Sequence, residues 1–336
     1  MIESTEDDVV AVTVTYGERR EMLVRVLDAL IDEGVARIVV VDNGARWPVR
    51  RLLAAQYGAT VEIVSMEGNR GSAAGFAAGL TAAMATGMPF IWLLDDDNRP
   101  RPGCLARLRA GYGEEAARAP AALHPPMLAV VAWRPAHHAG GVSPQQLMTR
   151  WDSFGGFHVA DIVAKLVHRL PRRRDAAPLP RITLGVAPYG GMMFHRSLVG
   201  RIGLPRLEFG QYGDDTEFTW RITVQDGRIV QIAEAIVDDL EESFQQNTQL
   251  RNRFLGALLT DNEFRTYYTF RNLAYFERHF RRRNRFTFAF NRLLYFAILR
   301  LYARKLGLLD RYRFIRRSAS KGMRGDLQAE ERFSLP

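Results

Sequence analysis

Between Pro89 and Asn98 the chain passes from an apolar run, Phe90 to Leu94, straight into three consecutive carboxylates, Asp95, Asp96 and Asp97. The run is short and unbroken, which marks a buried strand, and Pro100 and Pro102 mark a turn behind it. Charge at the end of a buried strand constrains the fold. In open α/β sheets, ligands bind in the crevice beyond the carboxyl ends of the strands. In extended backbone Asp95 and Asp97 project to one side and Asp96 to the other. Two carboxylates on one side suit Mg²⁺ or Mn²⁺, which keep several waters and take further oxygens from a diphosphate. A solvated acidic turn is the plainer alternative.

The residues before this stretch supply a sheet for it. Val9 to Thr15 is rich in β-branched residues and reads as a buried parallel strand. Leu23, Val26, Leu27 and Leu30 have helical spacing over Glu21 to Ile31. Strands follow at Arg37 to Val41, ending in Asp42-Asn43-Gly44, and at Thr60 to Val64. This alternation predicts an α/β fold, a mostly parallel Rossmann-like sheet flanked by helices. Glycines at 68, 71, 75 and 79 fit neither G-x-G-x-x-G nor the Walker pattern, which argues against a dinucleotide oxidoreductase and a P-loop enzyme. They leave a small-residue helix, Ser72 to Ala85, suited to tight packing on the sheet or to offering N–H groups to a phosphate or ribose.

Residues 120–180 read as an irregular insertion on the acceptor side, anchored by Trp151, Phe154 and Phe157. His137 and His138 lie in it without a second spaced His or Cys pair. Beyond Tyr189-Gly190-Gly191 comes a second acidic cluster, Tyr212 to Arg221. Asp214 or Asp215 fits a helix N-cap, and Glu217 with Arg221 makes an i,i+4 pair. Only one of two adjacent carboxylates can cap, so the other is available for chemistry.

The formal net charge of +9 makes phosphorylated substrates, an anionic membrane and nucleic acid candidate partners. Arginine crowds Arg172 to Arg174 and the chain from Arg278 onward. In the helix predicted over Arg285 to Lys305, Arg285, Arg292, Arg300 and Arg304 share one arc. Phe286, Phe290, Leu293, Leu294, Ala297 and Leu301 cover the adjoining one. That pattern fits a helix lying on an anionic leaflet, or one packed against the catalytic domain. A single cysteine, Cys104, excludes a disulfide framework and agrees with a reducing cytosolic setting, and the acidic Met1 to Asp8 does not resemble a secretory signal.

Taken together, Val12 to Tyr16, Val40 to Gly44, Asn69 to Gly71 with Gly75-Phe76, Leu94 to Asp97, Tyr189 to Gly191 and Tyr212 to Arg221 give the chain a resemblance to inverting family 2 glycosyltransferases of GT-A fold. Gly71 to Gly79 and Arg265 to Asn272 are similar to the galactofuranosyltransferases and rhamnosyltransferases of bacterial cell-wall assembly. The resemblance implies a GT-A domain over residues 1–245 and a helical, basic extension over 246–336. It implies that Thr15, Tyr16, Asp42, Asn69, Arg70, Gly71, Asp95, Asp96, Gly190 and Gly191 bind a nucleotide diphosphate sugar, with UDP as the nucleotide. Asp95 and Asp97 would hold Mg²⁺ or Mn²⁺. Where the family often has a histidine ligand the chain has Asp238-Asp239: either Asp238 would substitute as an oxygen ligand, or metal binding is altered. Asp215, beside Asp214, would be the catalytic base, held ionised by its helix dipole. The implied acceptor is lipid-linked or polysaccharide, the implied site of work the inner face of the plasma membrane, and no nucleic-acid partner is expected. A sugar nucleotidyltransferase and a basic RNA- or membrane-binding module are the alternatives.

Overall fold

The computed structural model describes residues 9–120, 125–135, 150–162, 181–241, 253–260, 262–328 and 330–335; His137, His138 and Arg172 to Arg174 lie outside them. Four strands, β1 (Val9–Gly17), β2 (Arg37–Ala45), β3 (Val61–Ser65) and β4 (Phe90–Asp95), pair in parallel in the order β3-β2-β1-β4. Val9 and Ala11 of β1 enter one core and Val10, Val12 and Val14 the other, so both faces are buried and the strand shows no polar alternation. Helices α1 (Arg20–Asp32) and α2 (Val49–Tyr57) cover the first face through Leu23, Val26, Leu27, Leu30 and Leu53. Helix α3 (Gly71–Ala85) covers the second. It lies close because its inner side is bare: a Cβ on Gly75 or Gly79 would meet Val14 Cγ1 at 2.5 Å or Val12 Cγ1 at 2.4 Å.

After β4 the chain turns at Asp96-Asp97 into a short strand, β5 (Asn98–Pro100), and then α4 (Cys104–Ala117). Residues 128–133, within the stretch expected to be irregular, form a buried strand, β6 (Leu128–Trp133). A short edge strand, β7 (Arg181–Leu184), follows, then β8 (Met192–His195), α5 (Ser197–Ile202), α6 (Asp214–Thr223) and β9 (Arg228–Asp239). The full order is β3-β2-β1-β4-β8-β6-β9-β5, with β7 on β9. β8 runs antiparallel between β4 and β6, while β6 and β9 are parallel, so the sheet is mixed but mostly parallel.

The length of β9 matters for the site. Its first half pairs with β6 and β7, the register slips after Ala132, and its last three residues pair antiparallel with β5. The far end of the sheet is thereby tied to the acidic turn behind β4.

Four helices close the chain: α7 (Arg253–Leu259), α8 (Glu263–Phe280), α9 (Arg285–Leu306) and α10 (Leu309–Arg324). Asn262 and Asn284 cap α8 and α9 by accepting from backbone N–H groups of the first turn. The four helices share a core with Phe154 and Phe157, so the anchors of the 150–157 segment are sunk among these helices.

Candidate functional site

The acidic turn is built by three neighbouring elements. Asp96 is buried and leaves the crevice to meet Arg19 at the start of α1, whose Nε donates to its Oδ1 at 2.8 Å. Thr15 lies beside it, fully buried, and Tyr16 is half exposed under the Arg19 guanidinium at 5.2 Å. Asp97 sits near Asp95, whose charge raises it, yet the turn at residues 96 and 97 also leaves its Oδ2 3.4 Å from Arg19 Nη2. Asn98 holds the turn closed: its Oδ1 accepts from Asp95 N, and its Nδ2 donates to Asp97 Oδ1 and to Asp239 Oδ1 at 3.1 and 3.0 Å.

At the end of β9 the two adjacent aspartates face opposite ways. Asp238 does not reach the turn. It points to the opposite side of the strand, where Arg101 binds it bidentately and Arg99 lies at 3.5 Å; these hydrogen bonds lower its proton affinity. Asp239 faces Asp97 and Asn98 instead, because side chains alternate along a strand. It is met there by Arg134, the first residue after β6, whose Nε donates to Asp239 Oδ1 at 2.9 Å and whose Nη1 lies 3.8 Å from Asp95 Oδ2.

Burial pushes Asp95 and Asp97 up to about 6, each raised further by its carboxylate neighbours; Arg134 draws Asp95 down, and Arg19 and then Arg134 draw Asp97 down. Asp96 is likewise pushed up to about 6 by burial, against the pull of Arg19. Asp239 Oδ2 is buried with no hydrogen-bond partner among the described residues. Among those residues no three His, Cys, Asp or Glu side chains are gathered into a ready metal cage. The donors nevertheless suit a hard cation: Asp95, Asp97 and Asp239 offer carboxylate oxygens around one guanidinium, and one of those oxygens is an orphan.

The opposite wall is α6. Its N-cap is Gly213 in left-handed conformation, so neither aspartate caps it, contrary to expectation; both lie in the first turn. Asp214 is buried and turned toward α3, accepting from Ser72 Oγ at 2.9 Å. Asp215 accepts from Thr216 N at 2.6 Å and turns toward the acidic turn, where it raises Asp95 and is itself lowered by Arg134. Burial and the charge of Asp215 push Asp214 up to about 8. Asp215 is also raised, because desolvation outweighs the N–H groups that were expected to hold it low. The Glu217–Arg221 pair forms as expected, at 3.0 Å.

The remaining predicted residues frame the crevice. Asp42 caps its own loop by accepting from Ala45 N. Asn69 Oδ1 accepts from Gly71 N, and Arg70 is exposed. Between them stands Asn43, assigned no role from the sequence: its Nδ2 donates to Gly71 O and its Oδ1 accepts from Arg70 N, which fixes the loop. Gly191 N donates to Leu93 O, which draws Gly190 against the acidic turn. The loop before α6 is clamped by Asn272 of α8, whose Nδ2 donates to Phe209 O, Gln211 O and Tyr212 O. Arg271 donates beside it to Glu208 O and Phe209 O. Sequence reasoning singled out Arg265 to Asn272 and missed this purpose; it noted Asp239 only as the neighbour of Asp238, and Arg134, Asn98 and Arg19 carried no sequence signal.

Residues 10–153, under half of the chain, match the family model described as Glycosyl transferase family 2. A galactofuranosyltransferase, GlfT1, of Mycolicibacterium smegmatis is 40% identical over 98 residues, which is 29% of this chain and 32% of that protein. The match therefore spans about a third of the relative's length. The S. aureus TarS fragment 1–349 aligns over 95% of this chain and 90% of its own at 13% identity and a TM-score of 0.47. GalNAc-T7 with UDP, GalNAc and Mn²⁺ aligns over 69% of this chain and 42% of its own at 13% identity and a TM-score of 0.49. Likenesses this distant carry no weight for the site.

Proposed function

We propose, from the premise that residues 10–153 carry a family 2 glycosyltransferase sequence, that the chain moves a sugar from a nucleotide diphosphate donor to an acceptor hydroxyl with inversion. Galactofuranose from UDP is the favoured donor, because the matched relative is a galactofuranosyltransferase. The observation that carries the reading is the opposition of Asp215 to the Asp95–Asp97 turn, near enough for their charges to interact. A donor in the crevice would lie with its diphosphate toward the turn and its sugar toward α6. Asp215 is then the base that takes the acceptor's proton as the hydroxyl attacks in line. Direct displacement needs no protein nucleophile. A Mg²⁺ or Mn²⁺ ion held by Asp95, Asp97 and Asp239 would supply charge for the departing diphosphate.

The acceptor we favour is lipid-linked, met at the inner face of the plasma membrane. No helix of the described residues is long and apolar enough to cross a membrane. Helix α9 instead has two apolar faces. Phe288, Asn291, Tyr295, Leu299 and Ala303 are buried against the helical core. On the opposite side Phe286 is 74%, Leu293 66%, Leu301 57% and Phe290 49% exposed. The helix contains no acidic residue, and Arg285, Arg300, Arg304 and Lys305 are exposed beside the stripe. Apolar side chains ringed by arginine suit an anionic leaflet. Exchanging Phe290 and Leu293 for aspartate should weaken cosedimentation with phosphatidylglycerol vesicles by roughly 100-fold or more, since each side chain contributes about 1.5–3 kcal/mol when buried. Turnover of a water-soluble acceptor should hold; undiminished sedimentation would remove the membrane from the account.

Product analysis tests the catalytic reading. The full chain, given UDP-galactofuranose and a lipid-linked acceptor, should release UDP and a glycosylated acceptor. Pyrophosphate among the products would point to nucleotidyl transfer instead.

A further inference from the structure

Three arginines meet where α8, α9 and α10 pack together. Phe296 of α9 faces Tyr312 of α10 with ring centres 6.4 Å apart. Arg292 lies one turn before Phe296 and Arg316 one turn after Tyr312, so both stand beyond that contact, away from the Gly307-Leu308 link. From α8, Arg278 reaches across to donate its Nη1 to Met323 O of α10. The two helices touch closely there: a Cβ on Gly322 would press on Arg271 O and lie 2.9 Å from Tyr275 N. Arg292 is half-buried between the other two. Burial lowers its hold on its proton, the charges of Arg278 and Arg316 lower it further, and no carboxylate acts against them. The acidic residues around the junction are engaged elsewhere. Glu277 accepts from Gly155 N and Gly156 N, Asp310 pairs with Arg313 at 2.5 Å, and Lys321 holds Asp326 and Glu330 at 3.6 and 3.0 Å. Helix α9 has no acidic residue at all. A guanidinium half-buried among guanidiniums costs stability unless an anion offsets it. Its planar fork matches the oxygens of a phosphate.

We propose that Arg278, Arg292 and Arg316 form a second anion site, apart from the donor crevice, for a dianionic phosphate group, carried by a soluble compound or by a lipid headgroup. Titration calorimetry of the full chain with inorganic phosphate tests it, in EDTA so that no metal-held phosphate contributes. Wild type should bind, and Arg292→Gln and Arg316→Gln should each lose roughly tenfold or more in affinity. Arg300→Gln removes an exposed arginine of α9 outside the junction and should bind as wild type. A like loss there would reduce the effect to bulk charge and overturn the site. Flotation with phosphatidic acid in phosphatidylcholine vesicles identifies the source. Weaker flotation of the two junction variants than of Arg300→Gln assigns a headgroup; equal flotation, with phosphate binding lost only in the junction variants, assigns a soluble compound. A wild type that binds neither probe, or junction variants that bind both in full, would overturn the proposal. Removing one of three mutually repelling charges should not lower the melting temperature of the ligand-free chain; should Arg292→Gln melt lower, the exposed Arg316→Gln decides alone.

Discussion

Asp215→Asn is expected to slow sugar transfer by about three orders of magnitude while UDP affinity stays within threefold, the range that loss of a general base commands. The exchange preserves shape, and an amide oxygen can still accept from Thr216 N at the start of α6. Asp215 shares its first turn with Asp214, and the two are not equivalent. Asp214 is buried against Ser72, where burial and the charge of Asp215 raise its proton affinity. Asp215 is raised too, by its own burial, and is turned toward the acidic turn. Asp214→Asn should therefore act through the packing of α6 on α3 and cost far less rate. Steady-state rates with parallel UDP titrations separate the cases; a turnover loss that tracks lost UDP binding would take the base role from Asp215.

The second large effect is expected at Gly190, where a single methyl group should lower kcat/KM by about 100-fold, chiefly through donor binding. A Cβ there would lie 2.0 Å from Asn98 Oδ1, 2.6 Å from Arg134 Nη1 and 2.9 Å from Asp95 Oδ2. Asn98 cannot step aside, being fully buried and bonded to Asp97 and Asp239. Its displacement would drag both carboxylates with it. Overpacking of this kind costs about 1–3 kcal/mol in a well-packed interior, and here it falls on the residues proposed to hold the donor. Gly190→Ala should melt a few degrees lower and bind UDP weakly, and normal UDP binding would show that the crevice does not use this turn.

Strands β1 to β4 and helices α1 and α3 were legible because each is specified locally. Their apolar periodicity survives without knowledge of partners, and the acidic turn announces itself as charge at the end of an apolar run. Strand β6 was not legible: Leu128 to Trp133 is a short apolar run beside Pro125 and Pro126, and only its place between β8 and β9 makes it a strand. Asp238 and Asp239 are chemically identical neighbours. Which one faces the turn depends on the register of β9 against β5, a long-range pairing that adjacent residues cannot reveal. Arg134 is one of 46 lysines and arginines, and its place follows wholly from the strand before it. Helix α9 was readable as amphipathic, yet its sequence did not say that a second apolar side, opposite the one buried in the helical core, stays open.

The claim that holds these parts together is a single displacement, with the diphosphate held at the Asp95–Asp97 turn and the acceptor hydroxyl activated by Asp215 on the far side of the sugar. The anomeric configuration of the product reports on it directly. Proton and carbon NMR of the glycan formed by the full chain from an α-linked nucleotide donor should show a β linkage. An α linkage would require front-side attack or a covalent intermediate and would contradict the account.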